Sequence, residues 1–222
     1  YTPNSNWYGT DSFVYTVNDR GGSGGSDSNT QLLLHANADL TDSSGSSHTV
    51  QKAGGAVINT NTKKFGSGSV GFDGTGYLSI PASGDWDFGS GDFTIDCWVR
   101  FESLLSENLT IASHWDDPNN DWELYYNTSS NSLRFAWHNG STYRGFDGGV
   151  SWTPTVNTWY HISVVRNGTD LQYYVNGIQK GAAQSIGSES IRNTNAALTI
   201  GTINTGKNNF HGQIDELRIS KG

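Results

Sequence analysis

The sequence has few of the residues on which disulfide-rich, helical or nucleic-acid-binding proteins depend. Its 222 residues include one Cys, no Met and four Pro, and only 15% of them are charged. The single Cys97 excludes a disulfide framework, and its alternation with Ile95 and Val99 predicts a buried thiol that packs as a small apolar residue. The formal net charge of −8 opposes attraction to phosphate backbones, so nucleic acid is not expected as a partner.

Long apolar runs and a leader sequence are also missing. The purely apolar stretches, such as Leu32 to Leu34, are far shorter than the roughly 18 residues of a membrane-spanning helix, so membrane insertion is not expected. The chain opens on Tyr1-Thr2-Pro3 without a charged and then apolar leader. We therefore expect a piece of a longer secreted or cell-surface protein with flanking domains.

Glycine is abundant instead, with 28 residues, and Ser, Thr and Asn are frequent throughout. This composition favours strands and tight turns. From Gln31 to Gly222 the chain is a series of short alternating runs separated by turn residues, which predicts an all-β fold, a two-sheet antiparallel β-sandwich. Residues 20–30 are rich in Gly and Ser and are predicted to form a linker, which leaves residues 1–19 as a separate piece.

The clearest strand runs from Phe93 to Phe101, where every second residue is apolar. Residues 159–166 and 171–176 are predicted to form an antiparallel hairpin. Five Asn-Gly or Asp-Gly steps, beginning at Asp73, Asn139, Asp147, Asn167 and Asn176, are candidates for hairpin turns. Further strands are predicted at residues 31–36, 69–72, 77–80, 109–114, 122–127, 133–137, 198–201 and 213–220, with a loop at 102–107.

Several short stretches occur in a fixed order from about Leu32 to Gly222. They include Leu32-Leu33-Leu34-His35, Phe72-Asp73-Gly74, Tyr77-Leu78-Ser79-Ile80-Pro81, Asp92-Phe93-Thr94-Ile95-Asp96, Val175-Asn176-Gly177 and Phe210-His211-Gly212-Gln213-Ile214-Asp215. In this order they resemble the laminin G-like jelly rolls of bacterial and phage proteins, a branch of the concanavalin A-like lectin and glucanase fold. The resemblance implies two antiparallel sheets with the last strand beside the first, but it implies no single function. Near the N-terminus, residues 1–19 resemble the end of a cadherin-like repeat of bacterial surface proteins.

The resemblance also implies a structural calcium ion that bridges the first and last strands. Asp215 matches the family's aspartate, while Asn37 occupies the position of its acidic partner, and Asp39 or Asp42 could substitute. The alternative is that Asp215 accepts backbone hydrogen bonds at a strand edge.

Catalytic patterns are weak. Related laminarinase-like glucanases carry three acidic residues at alternating positions on one strand, and glycoside hydrolysis needs two carboxylates that flank the bond. Here only Asp121 and Glu123 share a strand face, and the third acid is missing. The sequence has no Gly-x-Ser-x-Gly elbow, and its six His show no zinc spacing. The chain is therefore predicted not to be an enzyme.

Exposed aromatics stack on sugar rings, and planar amides and charged groups bind sugar hydroxyls. Two polar segments, at 114–122 and 138–144, contain such residues, and both would leave one sheet if residues 122–127 pair with 133–137. The predicted ligand-binding residues are Trp115, Asp117, Asn120, His138, Tyr143 and Arg144. The alternative is that these are polar loops with anchoring aromatics.

The sequence therefore predicts a non-catalytic carbohydrate-binding or adhesive module that binds a glycan or a cell-surface protein. Two alternatives stay open at this point. One is a structural or protein-interaction domain, such as an adhesin spacer or a phage surface decoration, and the more remote one is a glycosidase-like enzyme.

Overall fold

A computed structural model describes residues 26–104, 108–116, 119–145, 149–204 and 206–222, although the side chains of residues 116, 119 and 120 lie outside this description. The predicted tail at 1–19 and most of the linker at 20–30 also lie outside the described residues. The described part contains one short 3-10 turn, Gly84–Trp86, and sixteen strands. In chain order these are β1 Thr30–Leu34, β2 Gln51–Ala53, β3 Val57–Asn59, β4 Ser69–Asp73, β5 Tyr77–Ile80, β6 Phe93–Phe101, β7 Asn108–Asp116, β8 Asn119–Asn127, β9 Ser132–His138, β10 Tyr143–Arg144, β11 Gly149–Ser151, β12 Trp159–Asn167, β13 Asp170–Val175, β14 Ile178–Ser185, β15 Leu198–Ile200 and β16 His211–Lys221.

Sheet A has the strand order β14-β13-β12-β6-β16-β4-β3, and β1 also pairs with β16. The last strand is long enough to pair with β4 along its first part, at Ile214 to Val70, and with β1 along its second part, at Ile219 to Leu32. This arrangement confirms that the last strand lies beside the first.

Sheet B has the strand order β10-β9-β8-β7-β15-β5-β2, and β11 also pairs with β9. Strands β8 and β9 pair with each other, with Tyr125 opposite Arg134 and Trp122 opposite Trp137, so the condition for the two polar segments to leave one sheet is met. In sheet A, the predicted hairpin of residues 159–166 and 171–176 is the β12–β13 pair. All pairs in both sheets are antiparallel. The predicted two-sheet antiparallel sandwich is therefore confirmed.

The core lies between the two sheets and is built by the alternation that the sequence shows. Every second residue of β6 from Phe93 to Phe101 is at most 2% exposed, and Cys97 is fully buried. Burial raises the pKa of the Cys97 thiol well above its usual value, which keeps the thiol protonated and unreactive. The prediction of a buried, apolar cysteine is confirmed.

The turn between β13 and β14 shows how local sequence sets the strand register. Asn176 and Gly177 have φ of 50° and 75°, and they connect Val175 directly to Ile178 in the pairing of the two strands. Positive φ at both central residues is the type I′ geometry, which Asn-Gly favours because Gly has no Cβ and Asn tolerates the left-handed region.

Strand β8, like its neighbour β7, is buried on both of its faces. Trp122, Leu124 and Tyr126 face sheet A, and the residues that alternate with them, Glu123 and Tyr125, are only 3% and 4% exposed. The outer face of sheet B, the side turned away from sheet A, is therefore covered at its centre. This covered region adjoins the predicted ligand-binding residues.

Candidate functional site at the outer face of sheet B

The strand register brings four of the six predicted ligand residues to one end of sheet B. Three of them share its outer face, whereas Arg144 lies opposite the core-facing Trp137 and points to the other face. Tyr143 of β10 pairs with His138 of β9, and Arg144 follows Tyr143 in the same strand. Trp115 of β7 contacts Tyr143, with ring centroids 5.9 Å apart at an interplanar angle of 78°. We call these four residues, Trp115, His138, Tyr143 and Arg144, the rim.

The two aromatic rings of the rim are only half-buried, although most large aromatics in the described part of the chain are core residues. A register shift between His114 and Trp115 in the pairing of β7 with β8 precedes Trp115. An edge-to-face aromatic pair keeps one ring face available while the partner fixes the ring orientation. The rim therefore presents an ordered aromatic surface at the end of the sheet.

Asp117 lies outside the described residues, and so does the side chain of Asn120. Their predicted role in ligand binding stays a prediction. The backbone of Asn120 pairs with Trp115 in the β7–β8 ladder, so it belongs to the same end of the sheet.

Glu189 fixes the polar side of the rim, and sequence reasoning did not identify it. The guanidinium of Arg144 donates to Oε1 and Oε2 of Glu189 at 2.6 and 3.3 Å, and the indole N–H of Trp137 donates to Oε2 at 3.3 Å. The hydrogen bond from Arg144 is the main reason why the pKa of the Glu189 carboxyl is lowered. No local signal connects residues 144 and 189, because they are 45 positions apart in the chain.

Next to the rim is a group of polar residues on the outer face, which we call the floor: the buried Thr110, Glu123 and Tyr125 and the half-buried Arg134. The hydroxyl of Thr110 donates to Oε1 of Glu123 at 2.6 Å. Arg134 hydrogen-bonds the hydroxyl of Tyr125, whose pKa is raised chiefly by burial and also by the nearby Glu123 carboxyl. The alternation of β8 and β9 could have pointed to Tyr125 and Arg134, because they share the face that carries Glu123 and His138.

Burial raises the pKa of Glu123 to about 7. Glu123 lies opposite Ala136, and Gly145 packs over Ala136 so closely that a Cβ on Gly145 would come within 2.4 Å of the Ala136 Cβ. Gly145, which directly follows β10, therefore packs over this part of the floor. Since the covered carboxyl lacks water as a partner, its charged form is disfavoured.

Asp121 is turned away from this floor. It is fully buried, and its Oδ2 accepts the backbone N–H of Thr194 at 2.8 Å and the Thr194 hydroxyl at 2.5 Å. The same oxygen lies 3.0 Å from Nδ1 of His114. These contacts anchor the loop around Thr194, and neither Asp121 nor Glu123 is open to a substrate as the two carboxylates of a glycosidase must be.

The proposed calcium ligands do not form a calcium cage. Oδ2 of Asp215 accepts the backbone N–H groups of Lys64 and Phe65 at 2.8 and 3.0 Å, and Oδ1 accepts that of Glu216 at 2.9 Å. Burial raises the pKa of Asp215 to about 6. This arrangement corresponds to the alternative in which Asp215 accepts backbone hydrogen bonds at a strand edge.

The other three proposed ligands also accept N–H donors. Asn37 accepts the N–H of Ser67 at 2.7 Å, and Asp39 accepts that of Thr41 at 2.9 Å. Asp42 is 4% exposed and accepts four hydrogen bonds, three of them from backbone N–H groups of Leu33, Ser44 and His48. Within the described ranges, no group of three or more His, Cys, Asp or Glu residues is arranged to hold a metal ion. As arranged, these oxygens do not fit calcium, and calcium binding stays a prediction.

The two antiparallel sheets, with their first and last strands paired, define a jelly-roll sandwich, and comparison with known families agrees. A laminin G-type family model, described as the concanavalin A-like lectin/glucanases superfamily, matches residues 72–222. The chain belongs to this family, which confirms the laminin G-like part of the sequence prediction. The cadherin-like character of residues 1–19 stays a prediction. A comparison with curated protein sequences found no match.

Solved structures share this fold at low sequence identity. Domain 4 of AbnA, a GH43 extracellular arabinanase from Geobacillus stearothermophilus solved with arabinotriose, has a TM-score of 0.68 and 20% identity, covering 87% of this chain and 93% of that one. The binding domain of botulinum neurotoxin serotype G has a TM-score of 0.67 and 17% identity, covering 86% of this chain and 47% of that one. The binding domain of Paraclostridial Mosquitocidal Protein 1 has a TM-score of 0.64 and 18% identity, covering 87% and 48%. This chain thus spans about half the length of these toxin binding domains.

No helix in the described residues has the length and apolar character needed to cross a bilayer.

Proposed function

We propose that this domain is a non-catalytic carbohydrate-binding module of a larger secreted or cell-surface protein, and that the rim binds the sugar. The observation that carries the proposal is the half-buried aromatic pair of Trp115 and Tyr143 beside His138, with Arg144 following Tyr143 at the edge of the same sheet. Sugar rings stack on aromatic faces through their C–H groups, while their hydroxyls need planar donors and acceptors at the edge of the stack. The rim offers both kinds of group at one end of one sheet.

Two structural relatives support a saccharide as the ligand class. The AbnA domain was solved with arabinotriose. A further structure with this fold comes from botulinum neurotoxin type C, whose cell entry depends on interaction with two ganglioside molecules. These statements concern those proteins, and they make oligosaccharides the first ligands to test here. Asp117 and Asn120 belong to the proposed site as sequence-based candidates.

The domain is proposed to be non-catalytic because the two acidic residues on β8 are inaccessible. Glu123 is buried near Gly145, and Asp121 is engaged by Thr194 and His114. A retaining or inverting mechanism needs two accessible carboxylates on either side of one glycosidic bond. Release of reducing sugar from β-glucans or arabinans by the purified chain would refute this part of the proposal.

A glycan array followed by calorimetric titration with arabinotriose and related oligosaccharides tests the binding function. Trp115→Ala and Tyr143→Ala should each weaken binding of any sugar found by about 10-fold or more, because each removes a stacking or supporting ring. Trp159→Ala is the matched control, since Trp159 is also half-buried but lies on sheet A. Unchanged affinity in both rim variants, with folding intact, would exclude the rim.

The second candidate is a structural or protein-interaction domain without a sugar ligand. Its supporting observation is that polar groups at and beside the rim are already engaged within the protein, as Arg144, Arg134 and Glu123 show. A broad glycan array without any binding, together with high thermal stability, would favour this candidate over the first.

A further inference from the structure

The turn between β9 and β10 contains an Asn-Gly step, Asn139-Gly140, directly after His138. In such a step the backbone nitrogen of Gly can attack the side-chain amide carbon of Asn, because the two atoms are neighbours along the chain and their bond closes a small imide ring. The reaction is promoted by a base for the nitrogen, by donors for the developing oxyanion and by an open path for the attack. The contacts of this turn supply all three.

His138 provides a base at the attacking nitrogen. The backbone N–H of Gly140 donates to Nδ1 of His138 at 2.9 Å. A ring nitrogen that accepts a hydrogen bond carries no proton, so Nδ1 can take the proton that Gly140 must lose. His138 is the last residue of β9 and pairs with Tyr143, so the strand register fixes its backbone beside the turn.

Two backbone N–H groups are directed at the carbonyl oxygen of the Asn139 amide. Ser141 donates to Oδ1 at 3.0 Å, and Thr142 donates to the same oxygen at 2.8 Å. An oxyanion hole uses backbone donors at such distances to hold the charge that develops on a carbonyl oxygen during nucleophilic attack. The turn therefore stabilises the intermediate that attack by Gly140 would form.

The approach to the amide is open, and the group that leaves is oriented. Gly140 has φ of 91°, and a Cβ placed on it would have nothing beyond its chain neighbours within 4 Å. Gly140, Ser141 and Thr142 are exposed, so water reaches the turn. The side-chain amide of Asn139 hydrogen-bonds the Glu189 carboxyl, which directs the amide nitrogen away from the carbonyl donors.

We propose that Asn139-Gly140 is a self-modifying site, at which His138 promotes deamidation of Asn139 in the folded protein. His138 takes the Gly140 proton, the Gly140 nitrogen bonds to the side-chain carbon of Asn139, and the carbonyl π electrons move to Oδ1. The intermediate then expels Nδ2 as ammonia, which carries away the proton that His138 gained. Water opens the imide at either carbonyl and leaves aspartate or isoaspartate at position 139. The new carboxylate lies next to Glu189, where like charges repel.

Asn176-Gly177 is the matched comparison within the same chain. Oδ1 of Asn176 accepts the backbone N–H of His161 at 2.9 Å, and the backbone N–H of Asn176 donates to the His161 carbonyl at 2.7 Å. The amide oxygen of Asn176 is thus held by β12, whereas that of Asn139 is held by the N–H groups that follow it. The same dipeptide therefore has two different surroundings in one protein.

The test incubates the full chain at neutral pH and measures deamidation at each position by peptide mapping with mass spectrometry. Position 139 should be converted at least about 10-fold faster than position 176, to a mixture of aspartate and isoaspartate. In concentrated urea the two positions should react at similar rates, and position 139 should react more slowly than in the folded chain. Equal rates at both positions in the folded chain, or faster conversion of position 139 in urea, would overturn the proposal. Sugar binding plays no part in this test.

His138→Gln tests the base, because it keeps an acceptor for the Gly140 N–H but has no basic nitrogen. It should slow conversion at position 139 by about 10-fold or more and leave position 176 unchanged. His161→Gln is the matched control, since His161 is also a half-buried histidine beside an Asn-Gly step but contacts Asn176 through its backbone. It should leave position 139 unchanged. Undiminished conversion at position 139 in folded His138→Gln would overturn the role of His138, and the two positions of the unmodified chain still decide the proposal if this variant does not fold.

Discussion

Glu123→Gln tests whether the covered floor of sheet B holds a carboxyl in its neutral form. Burial raises the pKa of Glu123 from 4.5 to about 7. The contribution of this group to stability is fully present below pH 4.5, where it is protonated in both states, and is lost as the pH rises through 7. Glutamine mimics the protonated acid, because its Oε1 can still accept the hydroxyl of Thr110.

The magnitude follows from the difference between the two pKa values. At about 1.4 kcal/mol per pKa unit, a rise of about 2.5 units corresponds to roughly 3 kcal/mol at pH 8. Glu123→Gln should therefore match the unmodified domain in free energy of unfolding near pH 4 and exceed it by roughly 3 kcal/mol at pH 8. For a domain of this size the gain corresponds to a Tm higher by about 6 to 12 °C at pH 8.

Urea unfolding at intervals from pH 4 to pH 9 measures this difference directly. Asp215, whose pKa burial raises to about 6, contributes in the same direction in both proteins and so cancels in the comparison. Glu102→Gln provides a control of opposite sign, because a hydrogen bond from Gln213 lowers the pKa of Glu102, so Glu102 stabilises the fold only above the unfolded pKa. If the free energies of unfolding of Glu123→Gln and the unmodified domain differed by the same amount at all pH values, this reasoning would be refuted.

Three further predictions concern the scaffold. Arg166 is 2% exposed and donates to three backbone carbonyls. Arg166→Met should lower the free energy of unfolding by about 2 to 4 kcal/mol in urea titration, because it leaves these carbonyls without donors, and a loss under about 1 kcal/mol would contradict this role. Gly201→Ala should cost about 3 kcal/mol, since a Cβ would lie 2.6 Å from the Phe72 ring, whereas Gly74→Ala, with the same φ of 85° and nothing within 4 Å, should cost about 1 kcal/mol. If the two variants lost the same free energy of unfolding, backbone strain and not packing would determine the cost at Gly201. Melting scans with calcium and with chelator test the predicted ion: saturating calcium should raise the Tm if the site exists, and identical curves would exclude it.

Strand positions and faces could be predicted because alternation is a local property of the sequence. The predicted strand from Phe93 to Phe101 agrees with β6 at both ends, and residues 77–80 agree with β5. Strand β14, Ile178–Ser185, was missed because it lies at the edge of sheet A and is exposed on both faces, so it shows no alternation. Strands β2, β3, β10 and β11 have only two or three residues each and carry too little pattern to detect.

Only part of the candidate site could be predicted, because the sequence shows local patterns and not contacts between distant residues. Polar segments with aromatics at the ends of β7 and β9 pointed to Trp115, His138, Tyr143 and Arg144, and the pairing of neighbouring strands brings these residues together. The partner of Arg144 was not predictable, because Glu189 comes from a distant loop that reaches the rim only after folding.

The sequence by itself determined the all-β character, the buried faces, the isolated buried cysteine and the Asn176-Gly177 turn, since each depends on residues within a few positions of one another. Only the tertiary structure decided the chemical state of the polar groups. Burial raises the pKa of Glu123 to about 7, Arg144 is balanced by a residue 45 positions away, and the two N–H groups that Asp215 accepts through Oδ2 come from about 150 positions away. A local pattern specifies which side of a strand a residue faces, whereas its solvation and charge depend on the distant chain segments that pack against it.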